Sequence, residues 1–381
     1  MKIIDRYIIL NFVRNLLLWY LTLMGLYIIV DLFSNIDSFF NAENNANPFV
    51  IMFRYYFFHL FPIIDMISAS TILVSALTVM SMMIKRNEMI ALMSLGISRI
   101  RVISPILIVT ILYIILLFFL KEMVLPHYKV EFVKTPKEIA LSQSGIQVKR
   151  YQDADSKVWL DGKQLFLEDQ KINEPILTFP IDFHIPQNVI QAEEAIYIPQ
   201  TENKPSGYLL KNVNKIKELI ESKTLSTKDK KGREFIFLPN QSSPELGPND
   251  CFIASGISLE FLATGEEWIN YASLGDLISA FKNPSFRLSR KKIETQIHAR
   301  IINPLACLIP LILGLPIIFL RSDRNMIQSI ALGALLSALF LGVQFVCIFL
   351  GAKLDSPIFA AWFPLILFVP IATTTFASLV D

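Results

Sequence analysis

The chain has 381 residues, 53% of them hydrophobic and 18% charged, with a formal net charge of +2. So apolar a composition excludes a soluble domain of this length, and a charge so near zero, with no basic strip interleaved with aromatics, excludes a nucleic-acid groove. The three cysteines, Cys251, Cys307 and Cys347, lie far apart, so no disulfide framework supports the fold.

The opening MKIIDRYIILNFVRN mixes charged with apolar residues and has no small-residue cleavage site, which predicts a retained first helix. Residues 16–33 make the first span, led in by an amphipathic stretch in which Ile4, Ile8 and Phe12 oppose Asp5, Arg6 and Arg14. The next apolar run, 49–84, would be about 54 Å long as one helix, against a hydrocarbon core of about 30 Å. It is therefore expected to bend. An aromatic interfacial part carrying Arg54 and His59 precedes a kink at Pro62, and 61–84 is the span.

Residues 85–101, KRNEMIALMSLGISRIR, form a charged elbow before the third span at 102–120. Met89, Leu92, Met93 and Leu95 fall at helical spacing, Arg86 and Glu88 stand at the start, and Gly96 followed by Ser98 stops the helix. Two readings are open: a solvated hairpin whose charges set topology, or an amphipathic helix on which a soluble motor docks.

After Leu125 and Pro126 charges of both signs become frequent and long apolar runs cease for about 160 residues. Apolar residues alternate in IQVKR, KVWLDGKQLFLED, PILTFPIDFHI, VIQAEEAIYI, SGYLLKNV, FIFLP and CFIASGISLEFL, which predicts an inserted β-sandwich, jelly roll or open barrel. Residues 223–233 read as a mobile loop, and 273–282 as a short helix capped by Ser273 with Asp276 three residues on. Residues 301–320, 326–350 and 359–379 supply three more spans, the last kinked at Pro364 and Pro370. The fifth carries small residues Ala334, Ala338 and Gly342 at four-residue spacing, a packing stripe. The layout is thus residues 1–125 with three spans and the elbow helix at about 85–98, a β domain at 126–286, and 287–381 with three further spans.

Short loops on the elbow's side hold Lys2, Arg6, Lys85, Arg86, Arg99, Arg101, Arg321 and Arg324, whereas those opposite hold only Lys353. The positive-inside rule then places the elbow in the cytoplasm and the β domain outside. Arg287, Arg290, Lys291, Lys292 and Arg300 nevertheless crowd the outer approach to the fourth span. They read either as snorkelling cations or as a site for a phosphate-bearing substrate. No G-x-x-x-x-G-K-[ST] loop is present, so the chain is not its own motor, and the scattered histidines form no H-E-x-x-H motif. Asp65, in the second span, reads as a structural hydrogen-bonding residue or a proton-relay group.

The phrases IIDRYII, FPIIDMISASTILVSALTVMSMMIKRNEMIALMSLGISRIRV, VIQAEEAIYIPQ with GYLLKNV, and IETQIHARIINPLACLIPLILGLPIIF together resemble the LptF/LptG permeases of the bacterial lipopolysaccharide exporter. The resemblance runs through nearly the whole chain and implies six transmembrane helices in the inner membrane around a cavity, with a periplasmic β-jellyroll domain. It further implies a related permease subunit as heterodimer partner, a cytoplasmic ABC ATPase dimer that binds ATP and Mg, and periplasmic jellyroll bridge proteins that carry lipopolysaccharide onward. No cofactor is implied in this chain.

By the same resemblance Glu88 matches the family's coupling glutamate and Gly96 the glycine closing that helix, with Arg86 and Leu92 beside them on the ATPase-coupling elbow. The basic substrate contacts that family members often carry at the outer end of the first span are replaced here by Asp31 and Asp37. Arg54, Arg287, Arg290, Lys291, Lys292 and Arg300 are the substitutes to be tested. Asp5-Arg6-Tyr7 leans toward the G-type subunit. The competing expectation is a mechanotransmission or sensor protein with a ligand-binding β domain.

Overall fold

A computed structural model describes residues 3–40, 47–140, 145–181, 188–200, 205–214, 234–238, 246–320, 326–351 and 356–377. The chain divides into two compact units, one of Met1–Asp37, Phe53–His127 and Glu294–Asp381, the other of Ser38–Met52 and Tyr128–Ile293. Among the described residues six helices are long and apolar enough to cross a membrane: α1 (Ile3–Phe40), α2 (Pro48–Lys85), α4 (Arg99–His127), α9 (Arg290–Leu320), α10 (Met326–Gly351) and α11 (Pro357–Ala377). The short α3 (Glu88–Ser94) joins α2 to α4.

The amphipathic lead and the first span form a single helix, α1, of 38 residues. Its buried residues Ile8, Phe12, Leu16 and Tyr20 recur every four positions, so a single stripe runs through both parts and favours continuity. Helix α2 likewise passes through Pro62 without interruption over 38 residues. At about 57 Å each, α1 and α2 exceed the hydrocarbon thickness and must project beyond it.

In lipid, apolar surface alone gives helices little reason to choose one another, so close packing and polar contacts decide the arrangement. One cluster joins the α1 stripe to Ile72, Leu73, Leu77 and Met80 of α2, Val102, Ile103 and Ile106 of α4, and Leu311 and Leu315 of α9. A second joins Ile302, Ile309 and Leu313 of α9 to Phe340 of α10 and Leu365 and Phe368 of α11. Helix α9 serves both, and is the hub of this unit. Gly314 lets α2 come close, since a Cβ there would meet Leu73 Cδ1 at 2.4 Å. Along α2, the hydroxyls of Thr71, Ser75 and Thr78 donate to the carbonyls four residues back at 2.8, 2.6 and 2.7 Å, so each is satisfied within its own helix.

The other unit is built on two antiparallel sheets. Its strands are β1 (Tyr151–Gln152), β2 (Trp159–Asp161), β3 (Gln164–Phe166), β4 (Lys171–Asn173), β5 (Ile176–Thr178), β6 (Val189–Gln191), β7 (Glu194–Ile198), β8 (Gly207–Lys211), β9 (Ile236–Phe237) and β10 (Cys251–Ala254). They order as β1-β2-β5-β6 and β3-β4-β7-β8-β10-β9. Two of the alternating stretches each divide between the sheets. KVWLDGKQLFLED supplies β2 to one and β3 to the other, turning at Gly162, where a Cβ would lie 2.5 Å from Ile172 Cγ2. VIQAEEAIYI divides in the same way into β6 and β7. The buried parity shifts at each crossing, from Leu160 to Leu165 and from Ile190 to Ala195.

A further correction falls on ISLEFL, which alternates like a strand but forms helix α6 (Leu259–Thr264), with Ser258 Oγ accepting from the Phe261 N–H at 3.4 Å. Two short helices complete the unit, α7 (Trp268–Tyr271) and α8 (Leu274–Lys282), preceded by α5 (Pro136–Ala140). Ser273 and Asp276 form the expected capping box on α8. Residues 223–233, expected as a loop, lie outside the described residues. Tyr151, Phe261, Phe286 and Trp268 pack ring against ring beside the strands. Cys251 is fully buried, and burial pushes its thiol up to about 12, so it remains a protonated, apolar filler at neutral pH.

Gly207 opens β8 against β10, where a Cβ would meet the Ile253 carbonyl oxygen at 2.3 Å and Ala254 Cα at 2.9 Å. Both are backbone atoms of a paired strand and cannot rotate away. Gly207→Ala should destabilise this unit by about 1–3 kcal/mol, read as faster limited proteolysis between residues 145 and 293 while the membrane helices stay protected. Unchanged proteolysis would show that the β8–β10 pairing is not tight.

Candidate functional site

The elbow is shaped by local rules. Asn87 takes a left-handed φ of 59° and offers no side-chain cap, so α3 starts abruptly at Glu88. Its other end is a Schellman motif: the Ile97 N–H donates to Leu92 O at 3.2 Å and the Gly96 N–H to Met93 O at 3.0 Å. Gly96 has φ +78°, a conformation that a Cβ would strain. Met89 is buried, while Leu92 and Ile97 pack against the α1–α2–α4 core. What α3 presents outward is Ile90 (63% exposed), Met93 (40%) and Leu95 (76%), beside Arg86 and Glu88.

Leu92 packs inward and anchors the elbow, while Ile90, which the spacing argument passed over, stands exposed. Glu88 is held by α1: the Tyr7 hydroxyl reaches its two carboxylate oxygens at 3.1 and 3.0 Å. Arg86 Nη1 lies 3.8 Å from Glu88 Oε1. Arg101, opening α4, donates to both Asp5 oxygens at 3.0 and 2.9 Å.

A second polar group lies about 30 Å along the helices, twenty residues from Lys85 on α2 and from Arg101 on α4. Asp65, for which the sequence offered no partner, accepts from Lys121 Nζ at 2.5 Å. The partner was missed because the third span had been drawn to end at Leu120, whereas α4 runs on to His127. The neighbouring Glu122 pairs with Arg300 of α9 at 3.4 Å, and the Arg300 side chain is only 2% exposed. With its amide turned so that the oxygen faces Lys121 Nζ at 3.2 Å, Asn303 also donates to Ala299 O at 3.1 Å. The Gln344 amide of α10 stands 3.0 Å from that of Asn303. Intramembrane charges survive by such pairing.

The proposed phosphate-binding cations are mostly engaged nearby. Arg300 is buried against Glu122, Lys292 pairs with Glu266, and the Arg290 guanidinium lies 4.4 Å over the Phe281 ring. Lys291 and Arg54 are exposed, and the Arg287 side chain lies outside what is described. In the C-terminal part of α1, Asp31 accepts from Tyr56 Oη and Asn35 Nδ2, both at 3.1 Å. In the β-containing unit a cavity of about 220 Å³ is lined by Asp153, Asp155, Glu234, Ser206 and Asn283. Its buried Asp153 carboxylate already accepts from Ser255 Oγ (2.6 Å), Ser285 Oγ (3.2 Å) and the Asp155 N–H (2.9 Å), a structural knot.

Six long apolar helices, a short elbow and an inserted pair of sheets define a multi-pass membrane protein. The chain matches the family described as Lipopolysaccharide export system permease LptF/LptG over residues 6–378, and it belongs to that family. Family membership makes it a transport subunit of the inner membrane in lipopolysaccharide export. Comparison with curated proteins gave no match.

The Asp65–Lys121 pair should behave as a unit. Lys121→Met leaves a carboxylate one-third exposed, and should cost about 1–3 kcal/mol, less than the 3–5 typical of a fully buried pair. Adding Asp65→Asn should recover most of the loss in thermal unfolding of the detergent-solubilised protein. Additive losses would show that the two side chains do not stabilise each other.

Proposed function

We propose that the chain is one half of a two-permease ABC exporter, extracting lipopolysaccharide from the inner membrane with energy from a cytoplasmic ATPase that docks on the elbow. The six spans are arranged three and three about the inserted sheets. These sheets form a periplasmic jelly-roll-like domain that hands the glycolipid to further jellyroll proteins. A related permease subunit completes the exporter. ATP and its metal belong to the ATPase; in this chain we assign the elbow residues Arg86, Glu88, Leu92 and Gly96 to coupling.

The observation that carries this reading is the outer face of α3. Ile90, Met93 and Leu95 stand exposed on a segment too polar at both ends to lie within lipid, next to a carboxylate. An apolar strip rimmed by charge fits a hydrophobic groove with a cation at its edge, the helix-in-groove mode. Family membership and the excess of lysine and arginine on this side agree with a cytoplasmic docking helix.

If Glu88 meets a cation of the ATPase, Glu88→Arg should cost roughly 2–5 kcal/mol of binding, because the partner's charge is left facing a like charge. The variant should insert normally yet fail to co-purify with the ATPase, and charge reversal on the ATPase should restore part of the association. Normal assembly with normal ATP-driven lipid release in Glu88→Arg would overturn the proposal.

A further inference from the structure

Helix α3 has seven residues, fewer than two turns, and a helix that short has no stability of its own in water. Its position has to come from outside. Met89 and the Leu92–Ile97 contact anchor the inner face, but neither fixes Glu88, the first residue of the helix, whose cap residue Asn87 makes no side-chain capping bond. The group that reaches the carboxylate from elsewhere in the fold is the Tyr7 hydroxyl of α1, at 3.1 and 3.0 Å from its two oxygens.

Tyr7 is itself held in place. It sits one residue before Ile8, the first fully buried residue of the α1 stripe, and two after Asp5, which grips Arg101 at the start of α4. The first turns of α1 therefore tie the elbow at both ends: at its beginning through Glu88 and beyond its close through Arg101.

We propose that Tyr7 is a positioning residue for the ATPase contact: its hydroxyl fixes the Glu88 carboxylate and makes α1 move with the elbow. A carboxylate has about four acceptor sites, so the phenol takes one direction and leaves the others for an incoming cation. With Tyr7 in place the carboxylate has less freedom to lose on binding, which favours association through preorganisation. The contact also gives α1, which no loop connects to the elbow, a direct share in any displacement there.

This inference rests on the elbow being the ATPase docking site, and the test separates the two. The full exporter, with its partner permease subunit, is titrated with ATPase in detergent, and the affinity is compared for the unaltered chain, Tyr7→Phe, Glu88→Ala and the double variant. Tyr7→Phe removes one oxygen from a side chain that is 40% exposed and leaves the packing intact. It should weaken binding 3- to 10-fold when Glu88 is present, and less than 1.5-fold in the Glu88→Ala background. Equal losses in both backgrounds would mean that Tyr7 acts independently of Glu88, and no loss in either would mean that it positions nothing; each result overturns the inference. If Tyr7→Phe inserts poorly, Tyr7→Leu in the same cycle gives the same discrimination, because only the ratio between backgrounds is read. Should Glu88→Ala and Glu88→Arg both bind ATPase normally, the docking site itself is wrong; should they bind poorly while Tyr7→Phe is silent, only the positioning role fails.

Discussion

Lys121 and Glu122, adjacent on α4, carry opposite charges into two different neighbours, and the arrangement of the membrane helices depends on that pair of contacts. Lys121 reaches Asp65 of α2, and Glu122 reaches Arg300 of α9. In lipid no water-driven collapse tells one apolar helix from another, so a charge that must find its partner selects neighbours far more sharply than leucine against leucine. Asn303 and Gln344 extend the same layer toward α10. Helices joined at this level include α2 and α4, the two that the elbow connects at their opposite ends. The result is a closed frame of helix, elbow, helix and ion pair.

Around this frame the remaining helices attach by different means. Helix α1 lies against it through the four-residue stripe from Ile8 to Tyr20, with Trp19 donating to Thr78 at 3.2 Å and Tyr113 to Tyr20 at 2.6 Å. Helix α9 joins the frame through Leu311 and Leu315 and carries α10 and α11 on its other side. A displacement at the elbow thus has two routes outward, one along α2 and α4 to the polar layer and one through the foot of α1. A permease that moves a large amphipathic lipid has use for both, since opening a path requires helices to part without exposing unpaired charge.

What could be read from the sequence is what depends on neighbours in the chain. The six spans, the capping box at Ser273 and Asp276, and the glycine that ends the elbow at Gly96 are all set within a few residues. Contacts across the fold left no such mark. The partner of Asp65 lies 56 positions away and the partner of Arg300 lies 178 away, so a paired charge and a free one looked alike. The basic residues from Arg290 to Arg300 read as a phosphate site by their charge, and the structure adds that Glu266, Phe281 and Glu122 engage three of them. The break at Gly162 falls on a turn-like Asp-Gly pair that the sequence shows, whereas the one between β6 and β7 has no glycine or proline to mark it.

We propose that the elbow is the surface through which an ATPase acts on these helices. Hydrogen–deuterium exchange on the reconstituted permease complex, with and without the ATPase, tests it most directly. The amides of residues 88–97 lie in less than two turns of helix and a single Schellman closure, so they should exchange fast alone. Adding ATPase should slow them markedly while the strands β1–β10 stay unchanged. Exchange at 88–97 that is indifferent to the ATPase, with protection appearing elsewhere in the chain, would contradict the claim.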